Sequence, residues 1–172
     1  YTQLANIFIK KGEITMAEAK TNAMRMLEQN KISYEAHSYA HGKEPPDGET
    51  VARLLGQPPE RVFKTLVTKG GNEYYVFVLP VLKELDLKKA ARAVNEKSVE
   101  MIPVKDINKV TGYVRGGCSP VGMKKKYKTV FADECKSLQK IIVSGGKIGL
   151  QIETDTETLV KLVEGVIANI TL

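Results

Sequence analysis

Apolar positions along this chain switch between two periods. Ala19, Ala23, Met26 and Leu27 recur at helical spacing, so Met16 to Asn30 reads as a helix closed by Asn30. Lys31 to Tyr39 then alternates. Ile32, Tyr34 and Ala36 face one way and Ser33, Glu35, His37 and Tyr39 the other, as in a half-buried strand. Gly42, Pro45, Pro46 and Gly48 mark a loop, and Asp47 is placed to cap a short helix through Val51, Leu54 and Leu55 that ends at Gly56.

Pro58 and Pro59 break the chain before a strand from Arg61 to Thr68. Gly70, Gly71 and Asn72 turn it into a second strand, Glu73 to Leu79, which makes a hairpin. Further on, the pattern predicts a helix over Asp86 to Val94, a strand over Ser98 to Ile102 and a short helix over Pro103 to Val110. A Gly-rich loop follows from Gly112 to Gly122, then strands over Thr129 to Ala132, Lys140 to Val143 and Ile148 to Glu153. Thr154 with Glu157 has the spacing of a capping box, for a last helix carrying Leu159, Leu162, Val163, Val166 and Ile167. Helices and strands are interspersed and hairpins are present. The expected fold is therefore mixed α/β with a mixed sheet, not a doubly wound parallel one.

No linker or internal repeat divides the 172 residues, so residues 16–172 read as one domain. Residues 1–15 read as an extension. Their apolar stretch precedes Lys10 and Lys11, the reverse of a signal peptide. Lys-Lys-Gly-Glu is also what a purine-rich ribosome-binding site gives when translated, which places the expected native start at Met16.

Composition narrows the function. A net charge of +6 and a pI near 9.2 fit either a polyanionic partner such as RNA or plain solubility. Cys118 and Cys135 have no C-x-x-C or Cys/His ligand spacing, so a reduced, cytoplasmic protein without a metal is expected. No apolar run is long enough for a membrane helix. Gly117 to Gly122 misses G-x-S-x-G by one residue, and no H-E-x-x-H is present. Gly145-Gly146-Lys147-Ile148 lacks the Ser or Thr of a P-loop. Any hydrolysis must then work by positioning and electrostatics on a reactive bond, without cofactor, metal or protein nucleophile.

Four segments carry a resemblance. They are Phe63-Lys64-Thr65-Leu66-Val67, Leu85-Asp86-Leu87-Lys88-Lys89-Ala90-Ala91, Gly112-Tyr113 through Gly116-Gly117-Cys118-Ser119-Pro120-Val121-Gly122, and Val143-Ser144-Gly145-Gly146-Lys147-Ile148-Gly149-Leu150. In this order and spacing, over Met16 to Asn169, they resemble the YbaK/EbsC family. That resemblance implies a mixed sheet curled like a small barrel with surrounding helices. It also implies a free-standing, trans-editing deacylase of mischarged aminoacyl-tRNA, with Cys-tRNA(Pro) the first substrate expected. Relatives occur as editing domains of prolyl-tRNA synthetases, so a synthetase is a candidate partner. The acceptor end of tRNA is the expected nucleic acid, with no DNA or membrane partner. Ala-tRNA(Pro), or an RNA-binding module that has lost the chemistry, are the alternatives.

Site candidates follow. Lys64 shares a strand face with Val62, Leu66 and Thr68, where a lysine is costly to bury without an anion, so it is the first catalytic candidate. A snorkelling edge lysine is its plain alternative. Tyr39 matches a family tyrosine that could donate its hydroxyl to substrate, against an ordinary strand aromatic. Gly116, Gly117, Ser119, Ser144, Gly145 and Gly146 are candidates for approach to the terminal adenosine, against simple tight turns. Gln151 stands where a bacterial branch of the family has an acidic residue, and some members have an aromatic where Pro45, Pro46 and Asp47 stand here. Lys124, Lys125, Lys126 and Lys128 around Tyr127 are the RNA-binding candidates, against a solvated loop.

Overall fold

The computed structural model describes residues 20–172. Helix α1 runs Asn22–Gln29, and the part of the expected helix before Lys20, like the start at Met16, lies outside the described residues. Thr21 fixes its first turn. The Thr21 Oγ1 accepts from the Met24 N–H and donates to the Gly145 carbonyl 2.6 Å away, so one cap also ties the helix to a distant strand. Strand β1 is Glu35–Ser38, shorter than the alternation suggested. Lys31 has φ +57°, and the Ile32 N–H still bonds the Leu27 carbonyl, so these residues close the helix instead of starting the strand.

Local turn chemistry holds through the next segments. Helix α2, Gly48–Leu55, is capped by Asp47 and stopped by Gly56 at φ +65°. A 3₁₀ turn over Pro59–Arg61 delays β2 to Phe63–Gly70, which pairs with β3, Glu73–Pro80, in the expected hairpin. Helix α3 is Leu87–Ala93, with Asp86 accepting from the Lys88 and Lys89 N–H groups. Strand β4 shrinks to Glu100–Met101, and the expected Pro103–Val110 helix divides into a 3₁₀ turn, Val104–Asp106, and α4, Ile107–Thr111.

The last third departs more. After β5, Lys128–Ala132, strand β6 runs Lys140–Lys147, past its expected end at Val143 and through Gly145 and Gly146. Its register against β7, Leu150–Asp155, shifts between Ser144 and Lys147, which is a bulge; glycine permits the extra residues. The final helix, α5, is Thr156–Leu162 and is capped by Asp155, not Thr154. Thr154 instead donates to the Ser33 carbonyl. The helix also stops early. Glu164 at φ +53° turns the chain, and the β-branched Val166 and Ile167 join β8, Val166–Ala168, parallel to β5.

Two sheets result, ordered β1-β7-β6 and β4-β2-β3-β5-β8. The first is antiparallel; the second adds parallel pairs β3–β5 and β5–β8. They meet where Val62 bridges Ile142, so the strands curl toward each other without closing into a barrel. Between them lies the main core, with Phe63, Val67, Phe131, Val143 and Ile152 packed against Met24 and Leu27 of α1. The other face of β3 buries Phe77 and Leu79 under Ala90 and Ala91 of α3. With both faces covered, β3 reads as a continuous apolar run.

Candidate active site

The residues flanking the Val62–Ile142 bridge belong to both sheets, and beside them opens a cavity of about 400 Å³. Five sequence candidates meet in its wall: Tyr39, Lys64, Gly116, Ser144 and Gln151. The strand period explains the placement of Lys64. Phe63 and Val67 turn into the core, which sends Lys64 to the opposite side with Leu66. Its Nζ makes one long contact, 3.5 Å to the Val81 carbonyl, and no carboxylate among the described residues pairs with it. Burial pulls the ammonium pKa below its ordinary value, and the charge of Glu84 offsets part of that. A half-buried cation so poorly partnered could accept an anion at low desolvation cost.

On the three-stranded sheet, β1 and β7 place His37 directly opposite Gln151, and β6 places Ser144 opposite Gln151 on the other side. All three are buried. His37 and Ser144 thus flank Gln151 on opposite sides, and the His37 Nε2 is engaged by the Glu153 carboxylate, not by the Ser144 hydroxyl. The Ser144 Oγ accepts instead from the Gly146 N–H at 3.2 Å. Tyr39, two residues beyond His37, is buried with its ring edge-on to His41.

One row further along the same face lies an ion network. His37 Nε2 is 2.8 Å from Glu153 Oε1, and Arg61 pairs with the other oxygen of the same carboxylate. Burial by itself pushes the Glu153 carboxyl up, but the His37 hydrogen bond and the Arg61 charge outweigh it and hold the group below the usual range. Arg61 ends the turn before β2, so the network clamps the start of the lysine strand to the strand bearing Gln151. Ligand atoms of Glu35, His37 and Glu153 come within 4.8 Å of one another, which is metal-like spacing. Both Glu153 oxygens are already engaged, however, one by a guanidinium that repels cations.

Other expected site residues stand outside the cavity wall. Ser119 is fully buried, its Oγ accepting from the Val121 N–H. Gly117 faces backbone: a Cβ there would sit 2.8 Å from the Lys147 Cα. This close approach sets the Gly116–Gly117 loop against the β6–β7 turn. Gly145 and Gly146 form the bulge below Ser144. Lys124, Lys125 and Lys126 line a different cavity, with Lys128 exposed beyond them. Of the loop that replaces the family aromatic, Pro46 lines the wall and Asp47 caps α2.

The wall also holds residues not singled out from sequence. Met101, Ile102, Val104 and Ile107 form an apolar side, and Arg115 adds an exposed cation. Thr65 contributes a buried Oγ1 with no hydrogen-bond partner. Cys118 lies there as well, and burial pushes its thiol up to about 11, with a Thr111 hydrogen bond opposing. Arg115 had one legible signal, a cation inside the Gly112–Gly122 loop. The apolar side had none, because its residues look like core.

The fold is thus a two-sheet α/β one, with a desolvated lysine in the wall of a mainly apolar cavity. The chain matches the aminoacyl-tRNA editing domain family over residues 45–162 and belongs to that family. It is 48% identical over 155 residues to EbsC of Enterococcus faecalis, named as a Cys-tRNA(Pro)/Cys-tRNA(Cys) deacylase, covering 90% of this chain and 94% of that protein. A proline–tRNA ligase of Fervidobacterium nodosum is 32% identical over 97 residues, 56% of this chain and 17% of the ligase. The fold is shared with a crystallised protein described as a trans-editing enzyme for prolyl-tRNA synthetase. That match has a TM-score of 0.78 at 19% identity, over 90% of this chain and 99% of the other.

Proposed function

We propose that this editing-family protein hydrolyses the ester of mischarged aminoacyl-tRNA, with Cys-tRNA(Pro) as its principal substrate. The class of activity follows from the family; the particular substrate is our reading, supported by the relative with 48% identity. The observation that carries the mechanism is Lys64, half-buried in the cavity wall with no paired carboxylate. Its ammonium stabilises the oxyanion that develops as the carbonyl is attacked, in a site where low polarity strengthens the interaction. Tyr39 offers a hydroxyl to the same region. Thr65 and Gln151 present neutral acceptors to the substrate ammonium, in place of the acidic residue of other members.

The substrate's own thiol is the nucleophile in this account. Its sulfur bonds to the carbonyl carbon as the ester bond breaks, the ribose oxygen leaves with the thiol's proton, and water then opens the cyclic thioester to free cysteine. Cys118 is held protonated, and the Ser144 hydroxyl bonds a backbone N–H and no basic side chain among the described residues, so neither side chain is activated for attack. A proline-selecting pocket discriminates poorly against an amino acid of similar size, since such differences are worth about 1–3 kcal/mol, and a second site that accepts the thiol restores accuracy.

Lys124, Lys125, Lys126 and Lys128 contact the acceptor stem in this reading, and a prolyl-tRNA synthetase is the proposed partner in the cytoplasm. The resemblance to part of a proline–tRNA ligase supports the partner, and no described helix is long and apolar enough to cross a membrane. The test is a panel of purified mischarged tRNAs with ester loss followed over time. Cys-tRNA(Pro) is expected to be cleared fastest. Preference for Ala-tRNA(Pro) would overturn the substrate, and clearance of none would overturn the activity.

A further inference from the structure

A second cavity, of about 370 Å³, lies between the end of α1 and the end of α5, apart from the one that holds Lys64. Its apolar surface comes from Met26, Met123, Leu162 and Val163, and Lys124, Lys125 and Lys126 stand at its edge. The three lysines are exposed, but their engagements differ. Lys126 pairs with Glu164, Lys124 donates to the Lys109 carbonyl at 2.7 Å, and Lys125 has no partner among the described residues. Asn30, also in the wall, donates to the Met26 carbonyl at 2.8 Å and keeps its Oδ1 for another donor. Tyr127 is fixed by its hydroxyl, which donates to the Val110 carbonyl. Its ring stands edge-on to Tyr74, over which the Lys69 ammonium sits 5.6 Å from the ring centre.

We infer that this cleft receives an unstacked nucleobase of the bound tRNA, with the flanking phosphates on Lys124 and Lys125. Thioether and aromatic surfaces suit the flat face of a base, Asn30 suits its polar edge, and the unpaired cations suit the backbone beside it. A purely apolar guest would leave the lysines and the Asn30 oxygen without purpose, and a simple anion would not use the apolar surface. The inference rests on tRNA being the substrate. Helix α4 links the two sites: Ile107 lines the first cavity, while Lys109 and Val110 hold Lys124 and Tyr127 of the second.

Four methionines make the test selective. Met26 and Met123 line the second cavity, Met101 lines the first, and Met24 is buried in the core as a silent control. Protein labelled at the methionine methyls is titrated with uncharged tRNA(Pro). The inference expects Met26, Met123 and Met101 to shift with one dissociation constant while Met24 stays still. Pyrophosphate should move neither Met26 nor Met123; equal shifts with it would reduce the site to an anion patch and overturn the base. Movement of Met101 alone would overturn the second site and leave the substrate reading standing. Movement of none would overturn the tRNA reading itself. A carboxylate in the cleft, Met123→Glu, should weaken tRNA binding about tenfold, the scale of one lost base stack, and abolish the Met26 shift. An unchanged affinity and Met26 shift would contradict the assignment.

Discussion

The two cavities treat positive charge in opposite ways. In the first, Lys64 is half-buried, destabilised as a cation by its surroundings and held by one long carbonyl contact. At the second, three lysines lie open to solvent, and one is already balanced by Glu164. A desolvated charge is worth most where charge develops during a reaction, because water does not compete with it. Solvated charges act collectively on a polyanion by releasing counterions, and each contributes little alone. On the proposed function, chemistry belongs to the first region and affinity to the second, and substitutions can separate them.

The largest effect is expected at Lys64. Lys64→Ala should slow single-turnover deacylation of Cys-tRNA(Pro) by about 10²-fold or more, the scale of losing one electrostatic donor, while tRNA affinity and the far-UV spectrum stay near wild type. An active variant would remove Lys64 from the chemistry and collapse the contrast.

Next comes the clamp between the sheets. Glu153→Gln leaves His37 and Arg61 without their anion. It should cost about 2–3 kcal/mol, less than the roughly 3–5 of a fully buried pair, because the Arg61 side chain is 31% exposed. The carboxyl is held below its usual range in the fold, so its contribution is complete above the unfolded value near pH 4.3 and fades as pH falls through the lower folded value. Denaturant melts at pH 7 and at successively lower pH should therefore show wild type and variant converging in acid. A gap that stays constant would mean that ionisation of Glu153 is not what stabilises.

Smaller still is the lysine run. Replacing Lys124, Lys125, Lys126 and Lys128 with Gln should weaken tRNA binding and flatten its salt dependence by about 0.7 logarithmic units per lost phosphate contact on single-stranded RNA. The single-turnover rate at saturating tRNA should hold. Identical slopes would make the run a solvated loop. The smallest effect belongs to Cys118→Ala, which should alter the same rate less than about twofold, since a thiol held at about 11 is protonated at neutral pH.

What could be read from sequence was what neighbours in the chain decide. Asp47 and Gly56 bracket α2, and Gly70 to Asn72 turn the hairpin, because caps and turns depend on a few adjacent residues. The end of β6 lies four residues beyond Val143 because its partner β7 decides whether a Ser-Gly-Gly run is a tight turn or a bulge. Val166 and Ile167 fit the apolar stripe of α5 as well as they fit β8, and only the exposed edge of β5 distinguishes the two. Within the site, motif order brought Tyr39, Lys64, Gly116, Ser144 and Gln151 together. The His37–Arg61–Glu153 network was out of reach, since nothing along the chain links three positions on three separate elements. Met101 and Val104 escaped for another reason: an apolar residue lining a cavity has the same local signature as one filling a core.

The central claim is that the cavity supplies position and charge while the substrate supplies the nucleophile. The direct measurement is single-turnover deacylation of Cys-tRNA(Pro) beside the same tRNA with its cysteine thiol methylated, both at saturating protein. The account predicts that methylation lowers the rate by about 10²-fold or more while binding is unchanged, as expected for loss of a positioned nucleophile. Equal rates for the two substrates would contradict it and place the attacking group in the protein or in water.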